Sequence, residues 1–98
     1  MVAAGFVHTV ALSEAGHVFT WGRGWYGLLG HNDEKNQRAP RQVEAGRFGG
    51  EKVVFVAAGG NHTVAVTAGG RLYTWGAGGK GQLGHVDNNN RCWPAVVP

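Results

Sequence analysis

Two segments of the chain have the spacing of a phosphate-binding loop. Gly22-Arg23-Gly24-Trp25-Tyr26-Gly27 and Gly76-Ala77-Gly78-Gly79-Lys80-Gly81 both read G-x-G-x-x-G, and each follows a strand-like run. Such a loop holds a dinucleotide when its backbone meets the pyrophosphate and a helix N-terminus follows, with an acidic residue about 20 positions on. Here Gly30 and Gly84 interrupt the chain and loops rich in Asn and Asp follow, so no helix can start. The spacing predicts turns, and no cofactor is expected. The histidines are the other candidates. A metal centre needs three or four ligands converging on one point, whereas His8/His62 and His31/His85 are separated by the same 54 residues. Residues spaced in this way are spread along a repeat. No metal site is expected, and these side chains are expected to bond a neighbouring strand or loop instead. His17 has no counterpart and is expected at the surface. No paired-carboxylate motif or Gly-x-Ser-x-Gly turn occurs, and Asp33 and Asp87 have the setting of turn residues. The sequence therefore predicts no catalytic residue and no enzyme.

The elements that position these residues follow from the repeat itself. At an offset of 54, Val2–Val43 aligns with Val56–Val97 without a gap, and about half of the positions are identical. Val2-Ala3-Ala4-Gly5 falls on Val56-Ala57-Ala58-Gly59, His8-Thr9-Val10-Ala11 on His62-Thr63-Val64-Ala65, and Thr20-Trp21-Gly22 on Thr74-Trp75-Gly76. In the second copy, Val53–Ala58 is a β-branched run ended by glycines. His62–Thr67 is a second strand, closed at Ala68-Gly69-Gly70, where glycine can supply the positive φ of a tight hairpin. Arg71–Trp75 alternates as a third strand. Pro94 is expected to open a last strand through Ala95–Val97, since proline suits a first position. Short strands repeating in this way predict an all-β fold of propeller blades.

The repeat exceeds the roughly 40–45 residues of WD repeats and has no Trp-Asp pair. Its motifs are Ala58-Gly59, His62-Thr63, Tyr73-Thr74-Trp75-Gly76, Gly81-Gln82-Leu83-Gly84 and Pro94. This pattern resembles the regulator-of-chromosome-condensation repeat over nearly the whole chain. The resemblance implies two four-stranded antiparallel blades of a β-propeller that normally closes with seven, here an incomplete ring. Residues 1–50 would be the first blade, with an incomplete first strand, and 51–98 the second. Only Met1 precedes Val2, whereas Val53-Val54-Phe55 leads into Val56. The chain is accordingly expected to be a piece of a larger propeller, with further blades as its neighbours, and to associate or stay poorly ordered alone. Family members that sense ultraviolet light carry Gly-Trp-Arg-His-Thr segments. The matching segments here are Gly5-Phe6-Val7-His8-Thr9 and Gly59-Gly60-Asn61-His62-Thr63, without that tryptophan or arginine, so light sensing is not implied.

Function is sought where the copies differ, because fold does not fix those positions. Trp25-Tyr26 replaces Gly79-Lys80, and with Arg23 it has the composition of a protein-binding hot spot; the alternative is that one ring folds back onto its own blade. Cys92-Trp93 replaces Arg38-Ala39 and adds Trp93 as a further candidate. The net charge is +3, but the nine Lys and Arg residues are scattered, which argues against a nucleic-acid groove. One cysteine excludes an internal disulfide. No apolar run approaches the roughly 18 residues of a membrane span and no secretory signal is visible, so a cytoplasmic or nuclear setting is expected. The reading is a non-catalytic protein-interaction module, with a small GTPase or a ubiquitin-pathway protein as the implied kind of partner. The alternative is guanine-nucleotide exchange on a Ran-like small GTPase, the activity of the family's founding member. That activity needs an inserted wedge hairpin, and Glu44–Lys52 is too short and glycine-rich to be one.

Overall fold

The structure, a computed structural model, describes residues 1–79, 82–84 and 89–98. Among the described residues there are eight strands: β1 (Val2–Ala4), β2 (His8–Leu12), β3 (Val18–Gly22), β4 (Gln37–Gln42), β5 (Val53–Ala58), β6 (His62–Thr67), β7 (Leu72–Gly76) and β8 (Arg91–Val96). They make two antiparallel sheets, ordered β1-β2-β3-β4 and β5-β6-β7-β8. The register repeats with the sequence: Thr9 lies opposite Trp21 and Thr63 opposite Trp75. One irregularity repeats as well, because the pairing slips between Thr20 and Gly22 and again between Thr74 and Gly76. No helix among the described residues is long and apolar enough to cross a membrane.

The last strand departs from expectation. β8 begins at Arg91, so Pro94 sits inside it and not at its start. Gly76 pairs with Arg91 and Thr74 with Ala95, leaving Cys92, Trp93 and Pro94 in the slip. An outermost strand with a bulge tolerates proline because no ladder bond requires its missing N–H.

The core lies between the two sheets. Val10 and Val18 come from the first sheet and Ala65, Tyr73 and Trp75 from the second, with Val43 and Phe48 supplied at the start of and within the link between them. Phe48 lies in a short 3-10 turn, Ala45–Phe48, and meets the Tyr73 ring edge-on at 5.3 Å. The Glu44–Lys52 link is thus used in packing. Its far end is tied by Glu51, whose carboxylate accepts a 2.6 Å bond from Arg71 and is held below its usual pKa chiefly by that bond.

Face-to-face packing gives identical residues opposite surroundings. In β2, His8 and Val10 are buried while Thr9 and Ala11 are only half-buried. In β6 the order inverts: Thr63 and Ala65 are buried, and His62 and Val64 are half-buried. Alternate residues of a strand point to opposite faces. The first blade therefore turns its His8/Val10 face inward, and the second turns its Thr63/Ala65 face inward to meet it.

Candidate interaction surface

The seam between the blades is held by a polar relay. His8 Nε2–H donates to Thr63 Oγ1 at 2.9 Å, and the Thr63 hydroxyl donates to the Leu28 carbonyl at 2.8 Å. Because the Thr63 proton is directed at Leu28, its oxygen must accept, which fixes His8 as the Nε2–H tautomer. Within the first blade, Thr20 does the same work, donating to the Leu29 carbonyl at 2.7 Å while meeting His31 Nε2 at 3.0 Å. Thr74 donates to the Leu83 carbonyl at 2.7 Å; His85 lies outside the described residues. His8 and His31 are thus structural hydrogen-bonding residues. His17 is exposed and meets the Gln42 side chain.

Burial, reinforced by nearby His62 and opposed by a backbone contact, lowers the His8 pKa from 6.5. Burial and Arg41 lower that of His31, against Asp33 and Glu44. Both groups bind protons more readily in the unfolded chain. Their contribution to stability is complete above about pH 6.5 and is lost as pH falls from there towards the depressed folded-state values. The melting temperature is expected to fall between about pH 7.5 and about pH 5. In a His8→Gln/His31→Gln variant this part of the pH profile should flatten; thermal melts across the range test it, and a wild-type profile with no slope there would refute it.

The seam also positions the first glycine-rich loop. A short 3-10 turn spans Trp25–Gly27, and a Cβ on Gly27 (φ 76°) would lie 2.5 Å from Cys92 Cα. Only glycine lets this turn rest on β8. Asn32 N–H donates to the Cys92 carbonyl, fixing the loop's far side on the same strand. The Cys92 thiol is pushed up in pKa by burial, then by Glu34 and Asp33, so it is a poor nucleophile. At the tip, Tyr26 has a left-handed backbone, φ 60°, and its N–H donates to Glu34 Oε1 at 3.1 Å. A left-handed conformation is costly for a bulky residue and persists only where its surroundings impose it.

Both rings are exposed, Trp25 by 46% and Tyr26 by 41%. The Arg23 guanidinium lies 5.0 Å from the Trp25 ring centroid, and Trp25, Tyr26 and Glu34 line one open cleft. Tyr26 also borders a second cleft, of about 420 Å³, with Asn61, His62 and Asn90. Arg23, Trp25 and Tyr26 are thus brought together. Trp93 is not exposed beside them: the Arg47 guanidinium stacks on its ring at 3.4 Å. Two supporting residues were missed in the sequence. Glu34 has no carboxylate counterpart in the second copy, so the repeat gave it no signal. Asn36 did have one: its side chain accepts from Gly24 N–H, and its repeat partner Asn90 accepts from Gly78 N–H, each at 3.0 Å. Lys80 and Gly81, which complete the second glycine-rich motif, lie outside the described residues, as does Asp87.

Two family models, each described as the regulator of chromosome condensation (RCC1) repeat, match the chain, one over residues 15–66 and 69–98 and the other over 2–27 and 53–82. The chain is 46% identical over 96 residues to the human E3 ubiquitin-protein ligase HERC2, covering 98% of this chain and 2% of that protein. It is 45% identical over 94 residues to the ultraviolet-B receptor UVR8 of Arabidopsis thaliana, covering 96% and 21%. Among solved structures, human WBSCR16 superposes with a TM-score of 0.91 at 28% identity, over 100% of this chain and 26% of that one. Prp20p of Saccharomyces cerevisiae superposes at 0.86 with 24% identity, over 100% and 25%. The chain spans only a small part of the length of each of these proteins.

Proposed function

The chain belongs to the regulator of chromosome condensation repeat family, and on that footing we propose that residues 1–50 and 51–98 are two blade repeats of a non-catalytic module that binds a protein partner through Arg23, Trp25 and Tyr26. The observation that carries this reading is Tyr26. Its left-handed backbone is bonded by Glu34, and its ring and the adjacent Trp25 ring are both exposed. The fold does not need that arrangement, because the second copy has Gly79-Lys80 there. Large rings held rigid beside an arginine lose little entropy on binding, which is why Trp, Tyr and Arg dominate interface energetics. The cytoplasm or nucleus is the compartment that goes with this reading, and ubiquitin-pathway proteins or small GTPases are the partner classes to try first.

The test compares wild type with Trp25→Ala/Tyr26→Ala against partners captured from those classes, by titration calorimetry. Loss of about 2 kcal/mol or more, roughly thirtyfold in Kd, is expected, with Trp93→Ala leaving affinity unchanged. Unaltered binding by the double variant would overturn the assignment. Nucleotide release from a purified Ran-like GTPase, faster with the chain than without it, would instead favour exchange activity. Packing of Phe48 from the Glu44–Lys52 link into the core supports the non-catalytic reading, since that link has no free hairpin to insert.

A further inference from the structure

The cleft lined by Trp25, Tyr26 and Glu34 has a volume of about 350 Å³. All three positions change together in the second copy, which has Gly79, Lys80 and Asn88 at the same points of the repeat. The repeat therefore requires none of them. Their chemistry agrees in one respect: an aromatic face attracts a cation, and so does a carboxylate. Trp25 already draws one, since the Arg23 guanidinium lies 5.0 Å from its ring centroid. Glu34 does not. Among the described residues its neighbour Asp33 meets Arg41 at 3.9 Å, and no ion pair reaches Glu34 itself. Of its two oxygens, Oε1 accepts the Tyr26 N–H at 3.1 Å, and no hydrogen bond reaches Oε2 among the described residues. The negative field of Glu34 and Asp33 is felt as far as β8, where, after burial, it raises the Cys92 pKa.

Taking the interaction surface proposed above as its premise, we propose that this cleft seats a lysine side chain of the protein partner, its methylenes against the Trp25 and Tyr26 rings and its ammonium on Glu34 Oε2. Charge complementarity selects a cation, and the single open oxygen selects an ammonium. A guanidinium pairs best through two parallel N–H···O bonds to both carboxylate oxygens, and Tyr26 occupies one of them. A lysine stem covers apolar surface while its charged head stays in water, which suits an open cleft between exposed rings.

The probe is n-butylammonium, a lysine side chain without its backbone, titrated into the whole chain at constant ionic strength. Nuclear magnetic resonance follows the Trp25 indole N–H and the Tyr26 amide. Both signals should shift saturably, with a Kd on the order of tens of millimolar. n-Butylguanidinium should bind about threefold more weakly, and neutral n-pentanol should give no saturable shift. Glu34→Gln keeps an acceptor for the Tyr26 N–H and removes the charge, so it should weaken n-butylammonium binding about threefold. Trp25→Ala, read at the Tyr26 amide, should weaken it by a similar factor. No saturable shift, n-butylguanidinium or n-pentanol binding as tightly, or binding unchanged by Glu34→Gln or by Trp25→Ala would each overturn the proposal. This titration reports on the lysine seat, whereas the affinity of Trp25→Ala/Tyr26→Ala for the captured partner reports on the surface, so the two can fail separately. A partner lost by that double variant but bound at full affinity by Glu34→Gln would leave the surface standing and remove the seat.

Discussion

Replacing Trp75 by alanine is expected to cost about 3–5 kcal/mol of folding stability, whereas Trp21→Ala should cost the dilute chain about 1 kcal/mol or less. The two residues are the same type at the same point of the repeat, and both lie opposite a threonine. Only their surroundings differ. Trp75 is fully buried, its ring 6.0 Å from that of Phe48 and its Nε1 2.9 Å from where a Cβ on Gly30 would stand. Removing it leaves a void between sheets that cannot both collapse into it. Trp21 is half-exposed and no sheet packs on it among the described residues, so its loss leaves no cavity between these two sheets. Total stability for a chain of this size is on the order of 5–15 kcal/mol, and the Trp75 variant should lose a large part of it. Urea titrations of both variants, at concentrations where the chain is monomeric, measure the difference. Equal losses would show that the seam does not form as described.

Thr63→Val against Thr9→Val poses the same question for the polar relay. Valine keeps the shape and the β-branch. At Thr63 it strands both the His8 Nε2–H and the Leu28 carbonyl, each of which now has Thr63 as its partner. Leaving two buried polar groups unpaired should cost about 2–4 kcal/mol. Thr9 makes no such bond among the described residues, and its replacement should fall within about 0.5 kcal/mol in the dilute chain. Chemical denaturation again gives the values. The Thr63 variant has a second signature: with Thr63 unable to accept, the His8 ring loses the bond that selects its tautomer, which nitrogen-15 shifts of the imidazole would report.

Most of the strand architecture was legible because it depends on local signals. Gly70 closes the β6–β7 hairpin at φ 83°, and the repeat offset placed every threonine and histidine of the relays in register. What the residues could not reveal is which side of each strand faces in. His-Thr-Val-Ala reads identically in both copies, yet Thr9 and Thr63 differ in burial because the neighbouring sheet lies on opposite sides of them. Pro94 was misplaced at a strand start because the slip that admits it arises from pairing with β7, which no local propensity encodes. For the interaction surface, composition pointed to Trp25 and Tyr26. It did not point to Glu34, because a carboxylate that holds a left-handed backbone is recognised only once the backbone is seen. Trp93 had weaker grounds in the sequence, and composition could not reveal that Arg47, far away in sequence, lies on its ring.

Strand order in both sheets follows chain order, and this bears on the rates of folding as well as on its outcome. Every pairing joins consecutive strands, so each sheet can zip from its tight hairpins and then across the longer loop before its last strand at modest entropic cost. The blade seam, by contrast, joins residues as distant as His8 and Thr63 and is expected to form last. Interactions that form after the rate-limiting barrier show up in the escape rate from the native state. The seam thus acts as a latch: in a stopped-flow chevron, Trp75→Ala should leave refolding nearly as fast as before and greatly shorten the lifetime of the docked pair of blades.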